Sequence, residues 1–243
     1  MTDTQNIPWK RISVEAVAIV ASILLAFAID AWWAERQERE FEQETLAALS
    51  EEFQGHQAEL LAARRGHEFM LDSIGHLMAY AKTGVYPSDQ ISIDRSMNFL
   101  RMPFTSDLGS GVRDALISSG QIEVISDKGL RFELAEWSSV LDELKDDQQH
   151  GVTLVFDFVL PYMMREGVPV PGFRNIAPDG QLSAGSRSLA ADPVTQKRIF
   201  NDPEFLSILE TRHGFLKHTI TEYDDLIVAT ESIIAKIEAS IND

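Results

Sequence analysis

The chain has 243 residues, of which 44% are hydrophobic and 24% charged, as is ordinary for a folded protein of one or two domains. Its formal net charge of -17 argues against nucleic acid and acidic lipid surfaces as partners, because neutralising phosphates requires clustered lysine and arginine. The chain contains no cysteine, which excludes disulfides, thiolate metal sites and thiol catalysis.

The first predicted element is a transmembrane helix formed by an apolar segment, Ile12–Trp33. At about 1.5 Å per residue the segment is roughly 33 Å long, enough to cross a hydrocarbon core of about 30 Å. Aromatic and basic residues flank it where membrane-interface anchors lie: Trp9, Lys10, Arg11, Trp32 and Trp33. The sequence therefore predicts a short tail (1–11), a transmembrane helix (12–34) and a helical domain (35–243), with the lipid bilayer as a partner.

Two alternatives compete for the apolar segment. The buried helix of a soluble domain would not need aromatic residues at both ends. A cleaved export signal would use Lys10 and Arg11 as its basic start and Ala26-Phe27-Ala28 as its small-residue cleavage site. Glu15 interrupts the start of the apolar run, and no turn residue breaks the helix between Ile12 and Glu52. These features favour an uncleaved anchor.

The charges on the two sides of the apolar segment predict its orientation. Lys10 and Arg11 on the amino side are matched in number by Arg36 and Arg39 on the other side. Five glutamates between positions 35 and 44 make the carboxyl side of the segment the more negative one, which favours a cytoplasmic N-terminus. We therefore expect a single-pass protein of the bacterial inner membrane, with a cytoplasmic N-terminus and a periplasmic helical domain.

Small residues on one face of the apolar segment predict self-association. Ala18, Ser22 and Ala26 recur every four residues, so two helix backbones can approach closely along this face. Glu15 and Asp30 lie on the same face. Either they face a partner helix, or they lie at headgroup depth, where a charge costs little. A homo-oligomer or a complex with another membrane protein is expected.

Two long apolar seams predict an all-α fold in which two long helices pack in an antiparallel helical bundle. The first helix continues from the apolar segment to Lys82-Thr83, where Gly84 caps it and Pro87 prevents its continuation. Its seam is Leu46, Leu49, Phe53, His56, Leu60, Ala63, His67, Met70, Ile74, Leu77 and Ala81. The second helix follows the start signal Asp202-Pro203. Its seam is Leu209, His213, Leu216, Ile220, Tyr223, Ile227, Thr230, Ile234, Ile237 and Ile241.

Shorter helices are predicted between the two seams, over residues 92–101, over Asp107–Ser119 and after Ser126. The apolar face of the last comprises Leu130, Leu134, Trp137, Leu141 and Leu144. Pro161 is expected to kink or end this helix, and the run Val152–Met164 is too short for a second membrane span. Residues 167–193 are rich in Gly, Pro and Ser and predict a long loop.

The residues between the second and third of these helices, 118–127, predict a tight corner. Gly120 fits a helix end that needs positive φ, the apolar residues between Ile122 and Ile125 predict a short extended link, and Ser126 or Asp127 caps the next helix. A DNA-binding helix-turn-helix is the other interpretation of such a corner. Two basic residues, Lys128 and Arg131, are too few for that in so acidic a chain.

This turn and the end of the apolar segment, Ala31-Trp32 with Glu35-Arg36, resemble a family of uncharacterised bacterial single-pass membrane proteins. The resemblance covers residues 12–60 and 105–140, and the family usually carries Asn at the position of Asp30. It implies membrane anchorage and a helical extramembrane domain, and it implies no known activity.

The sharpest chemical hypothesis concerns histidines. Glu210-x-x-His213 and Asp147-x-x-His150 have the Glu-x-x-His spacing of di-iron sites in helical bundles, with Glu52 or Glu59 as bridging acids. Asp147 and His150 lie off the apolar face of their helix, and histidines on a seam are more often hydrogen-bonded core residues. No phosphate-binding glycine loop or serine nucleophile elbow occurs. We therefore expect no metal, no other cofactor and no enzymatic activity.

Two functional classes follow from these observations. The first is a membrane-anchored interaction or scaffolding protein that self-associates through the apolar segment and the long seam. The second is a sensor-like helical bundle that binds a small molecule between its helices and needs a partner subunit to pass on the signal. A di-iron enzyme is the third and weakest hypothesis.

Overall fold

The computed structural model describes residues 9–87, 92–103, 105–106, 108–109, 111–168 and 188–242. Over these residues the fold is all-α and no strand occurs, which confirms the predicted class. The helices are α1 (Trp9–Thr83), α2 (Ile93–Leu100), α3 (Val112–Ser119), α4 (Lys128–Leu154), α5 (Leu160–Arg165), α6 (Pro193–Phe200) and α7 (Pro203–Asn242).

Helix α1 is a single rod of 75 residues, about 110 Å long at about 1.5 Å per residue. Its first part is exposed along its whole described length, and burial begins at Thr45. From there to Leu77 the predicted seam is buried against the rest of the bundle. The helix ends as predicted: Gly84 has a φ of 69°, and its N–H donates to the carbonyl oxygen of Tyr80 at 2.8 Å.

Helix α7 packs antiparallel to α1, as the two seams predict. Asp202 caps its start by accepting from the Glu204 N–H at 2.9 Å. The predicted seam is wrong at Ile241, which is exposed, and Ile233 is more deeply buried than Ile234. In a straight helix of 3.6 residues per turn, positions that repeat every 3.5 residues gradually rotate away from the buried face. In addition, α4 packs on a second face of α7 and buries residues there.

The turn before α4 corrects one prediction and confirms another. Residues Gln121–Val124 form a short 3-10 helix instead of an extended link. Gly120 has the expected positive φ, 72°, and Asp127 caps α4 by accepting from the N–H groups of Gly129 and Leu130 at 2.6 and 3.1 Å. The five residues predicted for the apolar face of α4 are all buried.

Three other boundaries differ from the sequence prediction. Helix α3 begins at Val112 and not at Asp107, which lies outside the described residues. Pro161 does not end the helical path, because a wider π-helical turn at Val155–Val159 leads from α4 into α5. The predicted loop 167–193 lies mostly outside the described residues, and α6, which follows it, was not predicted.

The buried apolar side chains form two clusters. The proximal core, nearer the apolar segment, contains Leu49, Phe53, Trp137 and Ile237 among others. The distal core lies towards the other end of α1 and is built around residues such as Met70, Leu77, Phe200 and Phe205.

Candidate functional site

The first candidate site is the exposed first part of α1. Within the described residues, one helix is long and apolar enough to cross a membrane, and it is this one. None of its most apolar 18-residue stretch is buried against the protein. Its exposed large apolar side chains are Val17, Ile19, Val20, Ile23, Leu24, Leu25, Phe27 and Ile29. The packing of a soluble core therefore does not account for these residues.

Aromatic residues mark the carboxyl end of the exposed apolar stretch. Trp32 and Trp33 are both exposed, with ring centroids 6.2 Å apart and planes tilted by 54°. Trp9, Lys10 and Arg11 form the first turn of α1, but their side chains lie outside the described residues. An indole has an apolar ring and one N–H donor, so an exposed pair suits the boundary between hydrocarbon and headgroups.

The small residues of the apolar segment lie on one exposed face. Ala18, Ser22 and Ala26 are all exposed along α1. The Ser22 hydroxyl donates to the carbonyl oxygen of Ala18 at 2.7 Å. Its polar group is therefore satisfied within the helix, and the face can lie against lipid or against another helix without an unpaired donor.

A charged helical segment connects the apolar residues to the bundle. Arg36 pairs with Glu40 at 3.0 Å and Arg39 pairs with Glu35, each one turn away on the same helix. All four side chains are mostly exposed, so each pair contributes only about 0.3–0.5 kcal/mol. The segment is held as helix in water by these pairs and by continuity with its two neighbours.

The bundle contacts α1 at a junction formed by Glu42 and Gln43, which follow immediately after the charged segment. The Glu42 carboxylate accepts from the Ser126 N–H at 2.5 Å and from the Ser126 hydroxyl at 2.9 Å. One residue later, the Gln43 amide donates to the carbonyl oxygen of Ser240 near the end of α7 at 3.5 Å. The junction therefore ties α1 to both the α4 start and the α7 end.

The histidines of the α1 seam are core residues. His56 stacks on Trp137 with ring centroids 4.9 Å apart, and its Nε2 lies 3.0 Å from the carbonyl oxygen of Gly109. His67 Nδ1 lies 2.9 Å from the carbonyl oxygen of Ala63. Burial, with a smaller contribution from the charge of Arg212, lowers the pKa of His67 and favours its neutral form.

The predicted metal candidates do not come together as one site. Glu52 caps α3 by accepting from the N–H groups of Gly111 and Arg113, both at 3.1 Å. Glu59 and Glu210 are exposed, and His213 is partly buried on α7. Asp147 lies instead beside His218 and Glu222 of α7, and these are the metal-ligating types that the described residues bring within 4.8 Å. His150 is next to Asp147, with 4.0 Å between its Nδ1 and the Asp147 Oδ1.

A polar layer lies inside the bundle where the two cores meet. Arg212 is 3% exposed and donates to the carbonyl oxygens of Met102 at 3.0 Å and Gly151 at 3.4 Å. Within the described chain no carboxylate pairs with it, and burial lowers its pKa to about 10. Beside it, Tyr223 and Gln148 bond to each other at 2.9 Å, and Ser106 bonds to both.

Sequence reasoning missed the most buried of these groups. Arg212 is one position before the predicted seam residue His213. It lies three residues after Leu209 and four before Leu216, so its spacing places it on the buried face, and its charge is what made His213 the preferred seam residue. His218 and Glu222 carry a detectable signal, since their four-residue spacing places both on one helix face. Their partner Asp147 was among the predicted candidates, but its contact across α4 and α7 is 71 and 75 residues away in sequence.

Comparison with known proteins does not identify a relative. No protein-family model matches the chain, and no curated protein or solved structure resembles it significantly. The resemblance to single-pass membrane proteins stays a prediction, and the function is inferred from the residues themselves.

Proposed function

We propose that this protein is a membrane-anchored helical scaffold of the bacterial inner membrane. The apolar segment of α1 would cross the bilayer once and remain uncleaved. The helical bundle would lie on the periplasmic side and self-associate through the apolar segment, holding partner proteins close to the membrane.

The observation that carries the proposal is the complete exposure of the apolar part of α1. Fully burying a side chain such as Leu, Ile or Phe is worth about 1.5–3 kcal/mol. For the seven largest exposed side chains between Ile19 and Ile29 the total is of order 10–20 kcal/mol, as large as the whole stability of a typical domain. A surface of this kind needs a cover, and lipid supplies one along the whole length.

The continuity of α1 favours an anchor over a cleaved signal. The helix runs without a break through Ala26-Phe27-Ala28 and on to Thr83. The indoles of Trp32 and Trp33 follow at the position of the outer headgroup layer. Cleavage there would leave the charged segment and the junction on a truncated, unanchored helix.

Membrane anchorage is tested by fractionation and mass measurement of the full-length chain. We expect the chain in the membrane pellet after an alkaline carbonate wash, with an intact mass that includes residues 1–28. A reporter that is active only in the periplasm, fused after Asp243, should be active. A soluble chain beginning near Ile29 would overturn the anchor, and an inactive reporter beside an active cytoplasmic one would reverse the orientation.

Self-association is tested by disulfide crosslinking, for which a cysteine-free chain is well suited. Ser22→Cys places a thiol on the small-residue face, and Leu24→Cys places one on the opposite face of the same helix. We expect oxidation in membranes to crosslink most of the Ser22→Cys chains and few of the Leu24→Cys chains. Equal yields from the two variants, or none from either, would overturn association through this face.

The ligand-binding alternative is supported by one specific feature, an apolar groove of about 580 Å³ between α4 and α7. Leu154, Phe158, Ile208 and Phe215 line it, and Phe158 is an exposed residue of the π-helical turn. Such turns often occur at functional positions. If the groove binds an apolar small molecule, ligands that raise the Tm of the chain should lose this effect in Thr211→Trp, which fills the groove, and keep it in Met164→Trp, which does not.

A further inference from the structure

Three side chains from two helices converge on the surface beside the polar layer. Asp147 is on α4, and His218 and Glu222 are one turn apart on α7. His218 Nε2 is 3.2 Å from Asp147 Oδ2 and 3.7 Å from Glu222 Oε1. The imidazole nitrogen therefore lies close to two carboxylates that come from opposite sides of the interface.

The carboxylates of this cluster are poorly compensated. The Asp147 and Glu222 side chains are only 19% and 18% exposed. Asp147 Oδ2 is buried and lacks a hydrogen bond of acceptable geometry. Among the described residues no lysine or arginine lies within 4.0 Å of either acid, although two negative charges this close repel each other. A cation bound to all three groups would compensate both negative charges.

We propose that Asp147, His218 and Glu222 bind a divalent first-row transition metal ion, with Zn²⁺ as the reference ion. Bonds of about 2.0–2.1 Å in a tetrahedral arrangement separate ligand atoms by about 3.4 Å. The separations of His218 Nε2 from the two carboxylate oxygens, 3.2 and 3.7 Å, lie on either side of that value. One imidazole nitrogen with two carboxylate oxygens selects such ions over Ca²⁺ and Mg²⁺, which prefer oxygen ligands alone.

A metal ion at this site would stabilise the contact between α4 and α7, and this effect does not depend on the proposed scaffold function. The ion would join α4 to α7 about one turn from Gly151 and fewer than two turns from Arg212, where these helices enclose the polar layer. His218 is mostly exposed, so water can complete the coordination. Because the ligands belong to two helices, binding would stabilise the folded bundle over the unfolded chain by mass action.

The test uses the full-length chain in detergent micelles, without an affinity tag, titrated with Zn²⁺ by calorimetry at pH 7.5. We expect one ion per chain and a higher Tm with Zn²⁺ than without. His218→Ala and Glu222→Gln should each weaken the affinity about 10-fold or more. The matched controls are His213→Ala and Asp225→Asn, on the same helix but outside the cluster, and they should bind as the wild type does.

Several outcomes would overturn the metal site. One is that no stoichiometric Zn²⁺ binding occurs, which would leave only the contacts that the three side chains make with one another. Another is that His218→Ala binds Zn²⁺ as tightly as the wild type, or that Mg²⁺ competes at equal concentration. Circular dichroism of each variant checks its fold. The visible spectrum of bound Co²⁺, expected in the wild type and lost in His218→Ala, reports ligation separately from stability.

Discussion

The two parts of α1 are one helix in two environments. Before the junction at Glu42 its apolar residues are exposed, and after Thr45 residues of the same chemistry are buried against α4 and α7. Phe27 and Phe53 illustrate the difference, since the first is 67% exposed and the second fully buried. The comparison shows that helix formation is common to both parts, whereas burial occurs only where other helices of the bundle pack against α1.

The largest expected effect comes from truncating one phenylalanine in each part. Phe53→Ala should lower the free energy of unfolding of the bundle by about 3–5 kcal/mol, because it leaves a cavity beside Trp137 in the proximal core. Phe27→Ala should change it by less than about 0.5 kcal/mol. Urea unfolding in micelles, followed by circular dichroism, measures both. A similar loss in the two variants would mean that the first part of α1 also packs on the bundle.

A second prediction concerns the junction that separates the two parts. Glu42→Ala removes the acceptor for two Ser126 donors and should cost about 1–1.5 kcal/mol. Glu38→Ala removes the same charge one turn earlier, where the side chain is exposed, and should cost almost nothing. Unfolding curves of the two variants decide the point, and equal stabilities would show that the Glu42 contact contributes nothing to the bundle.

Two glycines inside helices of the bundle, Gly55 on α1 and Gly151 on α4, provide a matched pair. Gly55→Ala meets no atom within 4 Å and should stabilise the bundle by about 0.5–1 kcal/mol. At Gly151 a Cβ would lie 3.2 Å from Arg212 Nη1, so Gly151→Ala should lose that gain or reverse it. The two Tm values should therefore move apart, and a stabilised Gly151→Ala variant would show that the Arg212 guanidinium can shift freely.

The smallest effect is a pH dependence from His67, whose ring centroid lies 5.0 Å from that of Tyr223 in the polar layer. The pKa of His67 is lowered in the fold from its ordinary value of 6.5, so the unfolded chain binds more protons below that pH. Stability from this residue is present above pH 6.5 and is lost as the pH falls towards the folded pKa. The slope of Tm against pH below 6.5 should be shallower in His67→Gln and unchanged in His150→Gln, whose ring is mostly exposed. Identical slopes in all three chains would remove His67 as the cause.

Much of the fold could be predicted because its signals are local. The α1 seam, the Gly84 and Asp202 caps and the apolar face of α4 depend on residues one to four positions apart. The start of α3 could not be predicted in this way, because it depends on the Glu52 carboxylate 59 residues away in sequence. Asp147 could be singled out from its spacing, but its partners could not, since they are brought to it only when α4 packs on α7.

A helix that passes from the apolar segment into the bundle without a joint acts as a lever. From the end of the segment to Thr83, α1 extends about 75 Å at about 1.5 Å per residue. In a bilayer, a change in helix tilt of about 20°, within the range that such helices adopt, would carry the far tip of the bundle sideways by about 25 Å. Membrane thickness would thereby set the reach of the distal core.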